Sequence, residues 1–251
     1  MSESEPTERL ADALIGAVPN LAPGEQAVAV ALLRLLAKGA PVSDRTLAAA
    51  VGAEESTIRD ELASWPGVFR DEDGRVVGYM GLSVFEFGEH RIEVGGRTLT
   101  AWCAWDTLFL PELIGDEARI RSRCPITGEQ ISLTVGADGP SELRPPETVL
   151  SFLAPERPFD VDVVRSFCHF VHFFASEQAA REWITGHAAT FTLSLAQGFR
   201  WAGGPTRRHS GAHSAARTSR PDGEVNCGRR LGQLEPGAVV MKNVRALGAQ
   251  A

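Results

Sequence analysis

A cysteine and an aspartate lie three residues apart in the apolar segment TLTAWCAWDTLFLPELIG, residues 98–115. Apolar residues follow Asp106 at helical spacings and Gly115 is a plausible stop, so the segment predicts a helix beginning near Cys103. A thiol in a first helical turn lies beside free backbone N–H groups and the positive end of the helix dipole, which favours the thiolate. Residues three apart share a helix face, so Asp106 can approach Cys103. The pattern indicates a soft nucleophile beside a proton carrier in an apolar pocket.

The same spacing also fits a structural interpretation, in which Cys103 is a buried cysteine of a core helix and Asp106 is a residue near its cap. A second notable segment is RSFCHFVHFFAS, residues 165–176. At strand period, Cys168 and His172 lie on one face of this segment. His169 and His172 could bind zinc together with the cysteines, or they could be core histidines with satisfied hydrogen bonds. Both alternatives are open at this point.

The chain has four widely spaced cysteines, and none forms a C-x-x-C pair. In a reducing compartment this argues against a disulfide framework and against a zinc ribbon. Cys124 ends a predicted strand within Cys-Pro-Ile-Thr-Gly, which has no second metal-binding knuckle, so we expect a structural role for it. Cys227 lies in the C-terminal tail, where an exposed thiol that relays a metal is the alternative to a stray cysteine.

The elements around these residues indicate an α+β domain over residues 82–200. Gly95-Gly96 is a hairpin signal, and the strand that follows it leads to Cys103. Residues 118–135 predict two strands joined by a Pro125–Gly128 turn, and residues 136–147 predict a polar, proline-rich connection. Further along the chain we expect a strand at 148–155, a short helix or turn at 160–167, a helix at 176–187 and a last regular element at 189–199.

Residues 1–81 predict a winged helix-turn-helix-like module. Helices are expected at 7–18, 25–39, 45–52 and 54–65, and Asp73-Gly74 then indicates a hairpin. DNA binding is the obvious function of such a module, but residues 1–80 contain 13 acidic and seven basic side chains. This balance has the wrong sign for a phosphate backbone. We therefore expect no nucleic-acid partner and a structural or lid role.

The whole chain has 251 residues, a formal charge of −7 and 43% hydrophobic residues, enough for one large domain or two small ones. It contains no apolar run long enough for a membrane span, and its acidic N-terminus does not resemble a signal peptide. We therefore expect a cytoplasmic protein with no membrane partner. Residues 201–251 are rich in Gly, Ala and Arg and predict a basic, largely disordered tail.

Three segments together resemble the alkylmercury (organomercurial) lyase family. They are AWCAWDTLFLPELIG, RCPITGEQISLTV and SFCHFVHFFAS, in that order. The resemblance extends over roughly residues 5 to 200 and includes the acidic winged helix. It implies an antiparallel or mixed β-sheet domain with flanking helices behind the helical module. It also implies an enzyme that cleaves the carbon–mercury bond for mercury detoxification.

The resemblance further implies which residues act. Cys103 and Cys168 would be the mercury-binding thiols, Asp106 would be the proton-handling carboxylate, and Cys124 would be structural. Many relatives have a second cysteine directly after the one that matches Cys168, but here that residue is His169, so a supporting thiol is absent. No organic cofactor is implied. Small cellular thiols or a mercuric reductase would remove the Hg²⁺ product.

The chemistry fits this assignment, because Hg²⁺ binds thiolates far better than oxygen or nitrogen ligands. Two thiolates on the metal push electron density toward carbon, and the leaving carbon then needs a positioned acid. A different class of function is open from the residues alone, namely a thiolate-based metal-binding or metal-sensing winged-helix protein without catalysis. Asp106 distinguishes the two, because a sensor does not need an acid beside its thiols.

Overall fold

The computed structural model describes residues 13–14 and 16–203, and these form an α+β fold with antiparallel sheets. Within this part of the chain the helices are α1 Pro23–Leu36, α2 Asp44–Val51, α3 Glu55–Ser64, α4 Asp106–Ile114, α5 Val163–Ser166, α6 Glu177–Thr185 and α7 Leu195–Trp201. A 3-10 helix covers Cys168–Phe170. None of the described helices is both long and apolar enough to cross a membrane.

Eleven strands form two sheets in the described residues. The strands are β1 Phe69–Arg70, β2 Val76–Tyr79, β3 Leu82–Ser83, β4 Arg91–Val94, β5 Arg97–Ala101, β6 Ala118–Arg123, β7 Gln130–Gly136, β8 Gly139–Arg144, β9 Val149–Leu153, β10 Phe173–Phe174 and β11 Thr190–Ser194. The larger sheet has the order β1-β2-β3-β5-β4-β6-β7-β8, and the smaller has the order β10-β9-β11. Each pairing is antiparallel.

The helices of the N-terminal region begin and end where local chemistry favours it. The Ser43 side chain accepts a hydrogen bond from the Thr46 N–H and caps α2, and Gly52 ends that helix in the left-handed conformation. Between α2 and α3 lies the short turn that the sequence predicts. The helix predicted for residues 7–18 lies partly outside the described residues, and its described residues 13–14 and 16–17 are helical. Cys227 and the tail from residue 204 onward lie outside the described residues.

Both predicted hairpins are confirmed. Gly95 and Gly96 have φ values of 54° and 72°, and they join Val94 to its pairing partner Arg97. Two consecutive residues with positive φ give the tight turn that suits the twist of a two-strand ribbon. Around Asp73-Gly74, the chain reverses between β1 and β2, where the Asp71 N–H donates to the Arg75 carbonyl. The predicted pair of strands in 118–135 is also present, as β6 and β7.

Two predictions for the later part of the chain need correction. Residues 136–147 are not only a connection, because they contain β8, which pairs with β7. The polar side chains of this edge strand, Ser141, Glu142 and Arg144, are exposed, which is why the sequence suggested a loop. Residues 189–199 contain two elements rather than one, since the chain leaves β11 at Ser194 and enters α7. The Ser194 hydroxyl caps that helix by accepting from the Gln197 N–H.

The strand-period interpretation of residues 165–176 is also wrong for most of the segment. Cys168–Phe170 is a 3-10 helix, and only Phe173 and Phe174 pair as a strand with β9. Phe167 and Phe174 have opposite parity, yet both are buried, because neighbours cover the segment on more than one side. The alternation of aromatic residues in this segment therefore does not indicate a strand.

The N-terminal elements and the later elements share one sheet and one hydrophobic core. β3 pairs with β2 on one side and with β5 on the other, so the larger sheet is continuous across residue 81. Trp102, which follows β5, packs edge-to-face on Phe69 of β1 with ring centroids 5.0 Å apart. The N-terminal region is thus positioned to form part of the wall around the segment at Cys103.

Candidate active site

Cys103, Asp106 and Cys168 come together in the core, although the two cysteines are 65 positions apart in the sequence. One ligand atom of each, the two sulfurs and a carboxylate oxygen, lie within 4.8 Å of one another. All three side chains are buried, with exposed fractions of 0%, 6% and 4% respectively. Within the described residues, no other group of three His, Cys, Asp or Glu side chains has this geometry.

Asp106 is the first residue of α4, and Cys103 lies in the turn before it. The prediction that the helix begins near Cys103 is therefore wrong by three residues. The Asp106 carboxylate accepts a hydrogen bond of 2.8 Å from the backbone N–H of Cys103, so it folds back over the turn. The Thr107 hydroxyl donates to the Ala104 carbonyl at 2.7 Å and secures the same turn from the other side. The spacing of three residues thus joins the two groups through a turn rather than along a helix face.

Cys168 reaches the cluster from the 3-10 helix that follows α5. The end of this helix is closed by the Val171 N–H, which donates to the Cys168 carbonyl at 3.0 Å. The Val171 carbonyl in turn accepts a 3.0 Å hydrogen bond from the backbone N–H of Ala104, the neighbour of Cys103. The two cysteine segments are therefore connected directly through their backbones.

The helix terminus does not stabilise a thiolate at Cys103, contrary to the sequence-based expectation. Burial, the hydrogen bond with Cys168 and the charge of Asp106 raise the pKa of the Cys103 thiol well above its ordinary value. For Cys168, the hydrogen bond with Cys103 lowers the pKa, but burial and the charge of Asp106 outweigh it and the pKa is raised. Both sulfurs are thus thiols at neutral pH until a metal or a base takes their protons.

Asp106 is poised to exchange protons near neutral pH. Burial raises the pKa of its carboxyl to about 7, against the opposing effect of its hydrogen bonds with Cys103. The sequence predicts an apolar pocket around this carboxyl, and the buried side chains of Trp105, Leu108 and Phe109 lie nearby in the chain. An acid whose pKa matches the working pH can both accept and deliver a proton.

The backbone of Gly81, in the N-terminal region, lies against the Asp106 carboxyl group. The sequence analysis did not identify Gly81 as a site residue. A Cβ atom at this position would lie 2.5 Å from the Asp106 Cγ, closer than any real contact. Gly81 has a φ of +91°, and its carbonyl accepts a 2.9 Å hydrogen bond from the Trp102 N–H. The one available signal was the short Gly78-Tyr-Met-Gly81 run, whose two glycines indicate close backbone approach.

A small apolar pocket of about 80 Å³ opens onto the cluster. Asp106 and Cys168 line it, whereas Cys103 is fully buried and does not. The N-terminal region supplies about half of the wall, through Val18, Pro19, Leu21, Pro66, Gly67, Tyr79, Met80 and Gly81. The later region supplies aromatic side chains, namely Trp102, Trp105, Phe109, Phe159 and Phe167. Such a pocket suits a hydrophobic molecule with one reactive centre.

The histidines and Cys124 lie outside the cluster. His169 is exposed, and the His172 ring nitrogen Nε2 contacts the His169 carbonyl at 2.7 Å instead of facing the thiols. Cys124 is buried in the turn between β6 and β7, where its carbonyl accepts from the Gly128 N–H. Burial opposes its ionisation, but hydrogen bonds from Thr127 and nearby backbone N–H groups lower the pKa of the Cys124 thiol. Its sulfur is engaged by its own turn and by the backbone at Ala175.

The raised pKa of Asp106 predicts a stability cost at alkaline pH. Below the unfolded pKa of 3.8 both states are protonated and the cost is zero. As pH rises from there to about 7 the unfolded state ionises first, so stability falls, and above 7 the loss is constant. Asp106→Asn, which cannot ionise, should therefore be more stable than the wild type at alkaline pH, by an amount on the order of 1–4 kcal/mol. Thermal unfolding at acid and alkaline pH tests this, and a gain of equal size at both would contradict the assignment.

Comparison with known proteins agrees with these observations. The alkylmercury lyase family model matches residues 87–204, and the model for the helix-turn-helix domain of alkylmercury lyase matches residues 7–80. An alkylmercury lyase of Pseudomonas putida is 43% identical over 158 residues, which is 63% of this chain and 73% of that protein. One of Staphylococcus epidermidis is 40% identical over 72% of this chain and 80% of that protein.

A solved structure is similar as well. The crystal structure of the mercury-bound form of MerB2 covers 77% of this chain and 93% of its own, with a TM-score of 0.60 and 26% identity. The two family-model matches together extend over the N-terminal helices and the segments that carry the buried thiols and carboxyl group. Given the identity to its relatives and the share of their length that it covers, this chain belongs to the alkylmercury lyase family and is a lyase.

Proposed function

We propose that the chain cleaves the carbon–mercury bond by protonolysis, with Cys103 and Cys168 binding mercury and Asp106 moving the proton. The observation that carries this proposal is the approach of two sulfurs and one carboxylate oxygen to within 4.8 Å in a buried site. Two thiolates are the preferred ligands of a soft metal, and a single carboxyl group beside them is what a protonolysis needs in addition.

The proposed reaction balances with the groups present. An organomercury cation meets two protonated thiols, and each thiol loses its proton as its sulfur bonds to mercury. Asp106 accepts a thiol proton and delivers it to the carbon as the carbon–mercury bond breaks. The products are a hydrocarbon, Hg²⁺ on two thiolates and one proton released to solvent. No electron is transferred to or from the protein, and no cofactor is required.

Exclusion of water from the pocket favours proton transfer from Asp106 to the carbon. In a dry pocket the developing charge on carbon is not solvated, so proton delivery from Asp106 is the productive path. The Tyr79–Gly81 turn and Pro66-Gly67 cover the pocket from the N-terminal side. We propose that this region acts as a fixed lid, which admits a hydrophobic organomercurial and keeps bulk water from the thiols.

The pH dependence of the reaction should follow Asp106. Its carboxylate form accepts the first thiol proton, and lowering the pH through about 7 removes that form. We therefore expect kcat/KM for phenylmercury to fall about tenfold for each pH unit below this value, because kcat/KM reports ionisations of the free enzyme. Asp106→Asn should lack this inflection. Initial rates of benzene release at saturating small thiol measure it, and an unchanged inflection in the variant would assign it to another group.

We propose that the N-terminal region is a winged helix that does not bind DNA. Its helices α1 to α3, followed by the β1–β2 hairpin, have the order of that motif, and a bridge joins Val42 to Val76. Basic side chains near α3 are already engaged by acids. Arg70 pairs with Asp44 at 2.8 Å, and Arg59 pairs with Glu55 at 2.9 Å. In the described part of this region, these paired side chains are less available to a phosphate backbone.

We further propose that Hg²⁺ leaves by thiol exchange. A metal on two buried thiolates dissociates slowly, whereas an incoming thiol can replace one sulfur at a time. Small cellular thiols and a mercuric reductase are the expected acceptors, in a cytoplasmic setting. We propose a structural role for Cys124, and His169 offers no supporting thiol beside Cys168.

The alternative function, metal binding or sensing without catalysis, is not favoured by the comparisons. Incubation of the protein with phenylmercury and excess small thiol tests the proposal directly. We expect many equivalents of benzene per chain. Tight binding of phenylmercury without benzene release would support the sensor instead. In that case Asp106→Ala would leave the affinity for the metal unchanged, and neither protein would release benzene.

A further inference from the structure

We infer that Ser151 is a positioning residue for the reaction, because its hydroxyl bridges the segment that carries Cys168 to strand β9. This inference rests on the proposed function of the cluster. Ser151 lies at the centre of β9, and its exposed fraction is 0%. It does not contact the pocket, and it acts through the backbone of residues 170–172.

Three hydrogen bonds connect Ser151 to this segment. Its hydroxyl donates to the Phe170 carbonyl at 2.7 Å and accepts from the His172 N–H at 3.0 Å. Its backbone N–H donates to the His172 carbonyl, also at 3.0 Å. Regular pairing of β9 with β10 begins only beyond this point, where Phe173 faces Leu150. The Ser151 hydroxyl therefore provides hydrogen-bond partners for the Phe170 carbonyl and the His172 N–H, which lie before the start of the regular β9–β10 pairing.

The residue between these bonds, Val171, is the link to the reacting groups. Its N–H closes the 3-10 helix on the Cys168 carbonyl, and its carbonyl accepts from the Ala104 N–H beside Cys103. A change at Ser151 thus reaches both cysteine segments through one residue. Residues 168–170 are too short a helix to hold their own geometry, so their position depends on such anchors.

The energetic expectation follows from burial. Removal of the Ser151 hydroxyl leaves the Phe170 carbonyl and the His172 N–H without this partner at a partly buried site, where an unpaired polar group is unfavourable. The segment can relieve this by shifting away from β9, which would move Cys168 relative to Cys103. Displacement of a reacting group by about 1 Å can cost about 100-fold in rate.

Ser151→Ala and Ser151→Thr test the inference. We expect the alanine variant to lose at least about tenfold in kcat for phenylmercury with KM within about twofold, because the apolar side chains that line most of the pocket stay in place and the main shift is that of the Cys168 thiol. It should also retain Hg²⁺ more weakly against a competing small dithiol. The threonine variant keeps the hydroxyl and should recover kcat to within about threefold of the wild type.

Thr148→Val is the matched control. The Thr148 hydroxyl is also buried and also donates to a carbonyl at 2.7 Å, that of Pro145, which has no bond to either cysteine segment. We expect it to lower the melting temperature while kcat stays unchanged. An alanine variant with kcat within twofold of the wild type, or an equal loss of kcat in Thr148→Val, would overturn the inference.

The threonine variant keeps the test decisive if the alanine variant does not fold. A folded Ser151→Thr protein with the same Hg²⁺ retention and kcat as the wild type supports the inference, and a folded one that has lost kcat contradicts it. Failure of the proposed function itself would look different, because the wild type would then release no benzene.

Discussion

Replacing Asp106 with asparagine is expected to lower turnover of phenylmercury by about 100- to 10,000-fold, the usual contribution of a positioned general acid–base group. Asparagine has nearly the same shape, and its carbonyl oxygen can still accept the hydrogen bond from the Cys103 N–H that the carboxylate accepts now. The turn and the two thiols should therefore stay in place. What is lost is the group that takes the thiol proton and gives it to carbon.

Metal binding separates this explanation from a general loss of structure. Asp106→Asn should still bind one Hg²⁺ per chain, because both sulfurs remain. Titration with Hg²⁺, followed by the ultraviolet absorption of the mercury–thiolate bonds, measures this alongside benzene release. Turnover within about threefold of the wild type would contradict the role proposed for Asp106, since a general acid–base contribution is much larger than that.

Gly81→Ala is expected to have the second largest effect, although Gly81 has no chemistry of its own. The new Cβ would lie 2.5 Å from the Asp106 Cγ and 2.7 Å from Oδ1, so either the carboxyl group or the Tyr79–Gly81 turn must move. Movement of the carboxyl away from the sulfurs should lower kcat by about 100-fold. Benzene release under single-turnover conditions measures the chemical step without the contribution of product release.

Gly74→Ala is the control for backbone strain. Gly74 also has a positive φ, +77°, but no atom lies within 4 Å of the position that its Cβ would take. Both variants should lose stability, on the order of 1 kcal/mol, from forcing alanine into the left-handed region. Only Gly81→Ala should lose activity. Equal losses of activity in the two variants would show that strain, and not contact with Asp106, is responsible.

Local signals predicted much of the fold. Gly95-Gly96, Asp73-Gly74 and the Pro125–Gly128 turn each marked a hairpin that the structure contains, because tight turns need residues that tolerate unusual backbone angles. Ser176 was expected near the start of a helix, and its hydroxyl indeed caps α6. These features depend on neighbours in sequence, so a pattern can report them.

The rest depended on distant parts of the chain. The alternation around Cys168 resembled a strand, but its backbone partners are Ser151 and Ala104, which the segment alone cannot reveal. The start of α4 was placed three residues early, because Asp106 bonds to the turn before it. Gly81 was missed for the same reason, since its closeness to Asp106 exists only in three dimensions. The residues of the cluster were nominated from their types and from the family resemblance, and their meeting point required the fold.

A single-turnover reaction without small thiols tests the central claim most directly. Equimolar protein and phenylmercury should give one benzene per chain, and X-ray absorption at the mercury edge should then show Hg²⁺ on two sulfur atoms. Omission of small thiols keeps the metal on the protein, so the ligands seen are its own. Mercury that still carries its phenyl group on a single sulfur, with no benzene released, would contradict the claim that Cys103, Cys168 and Asp106 act together.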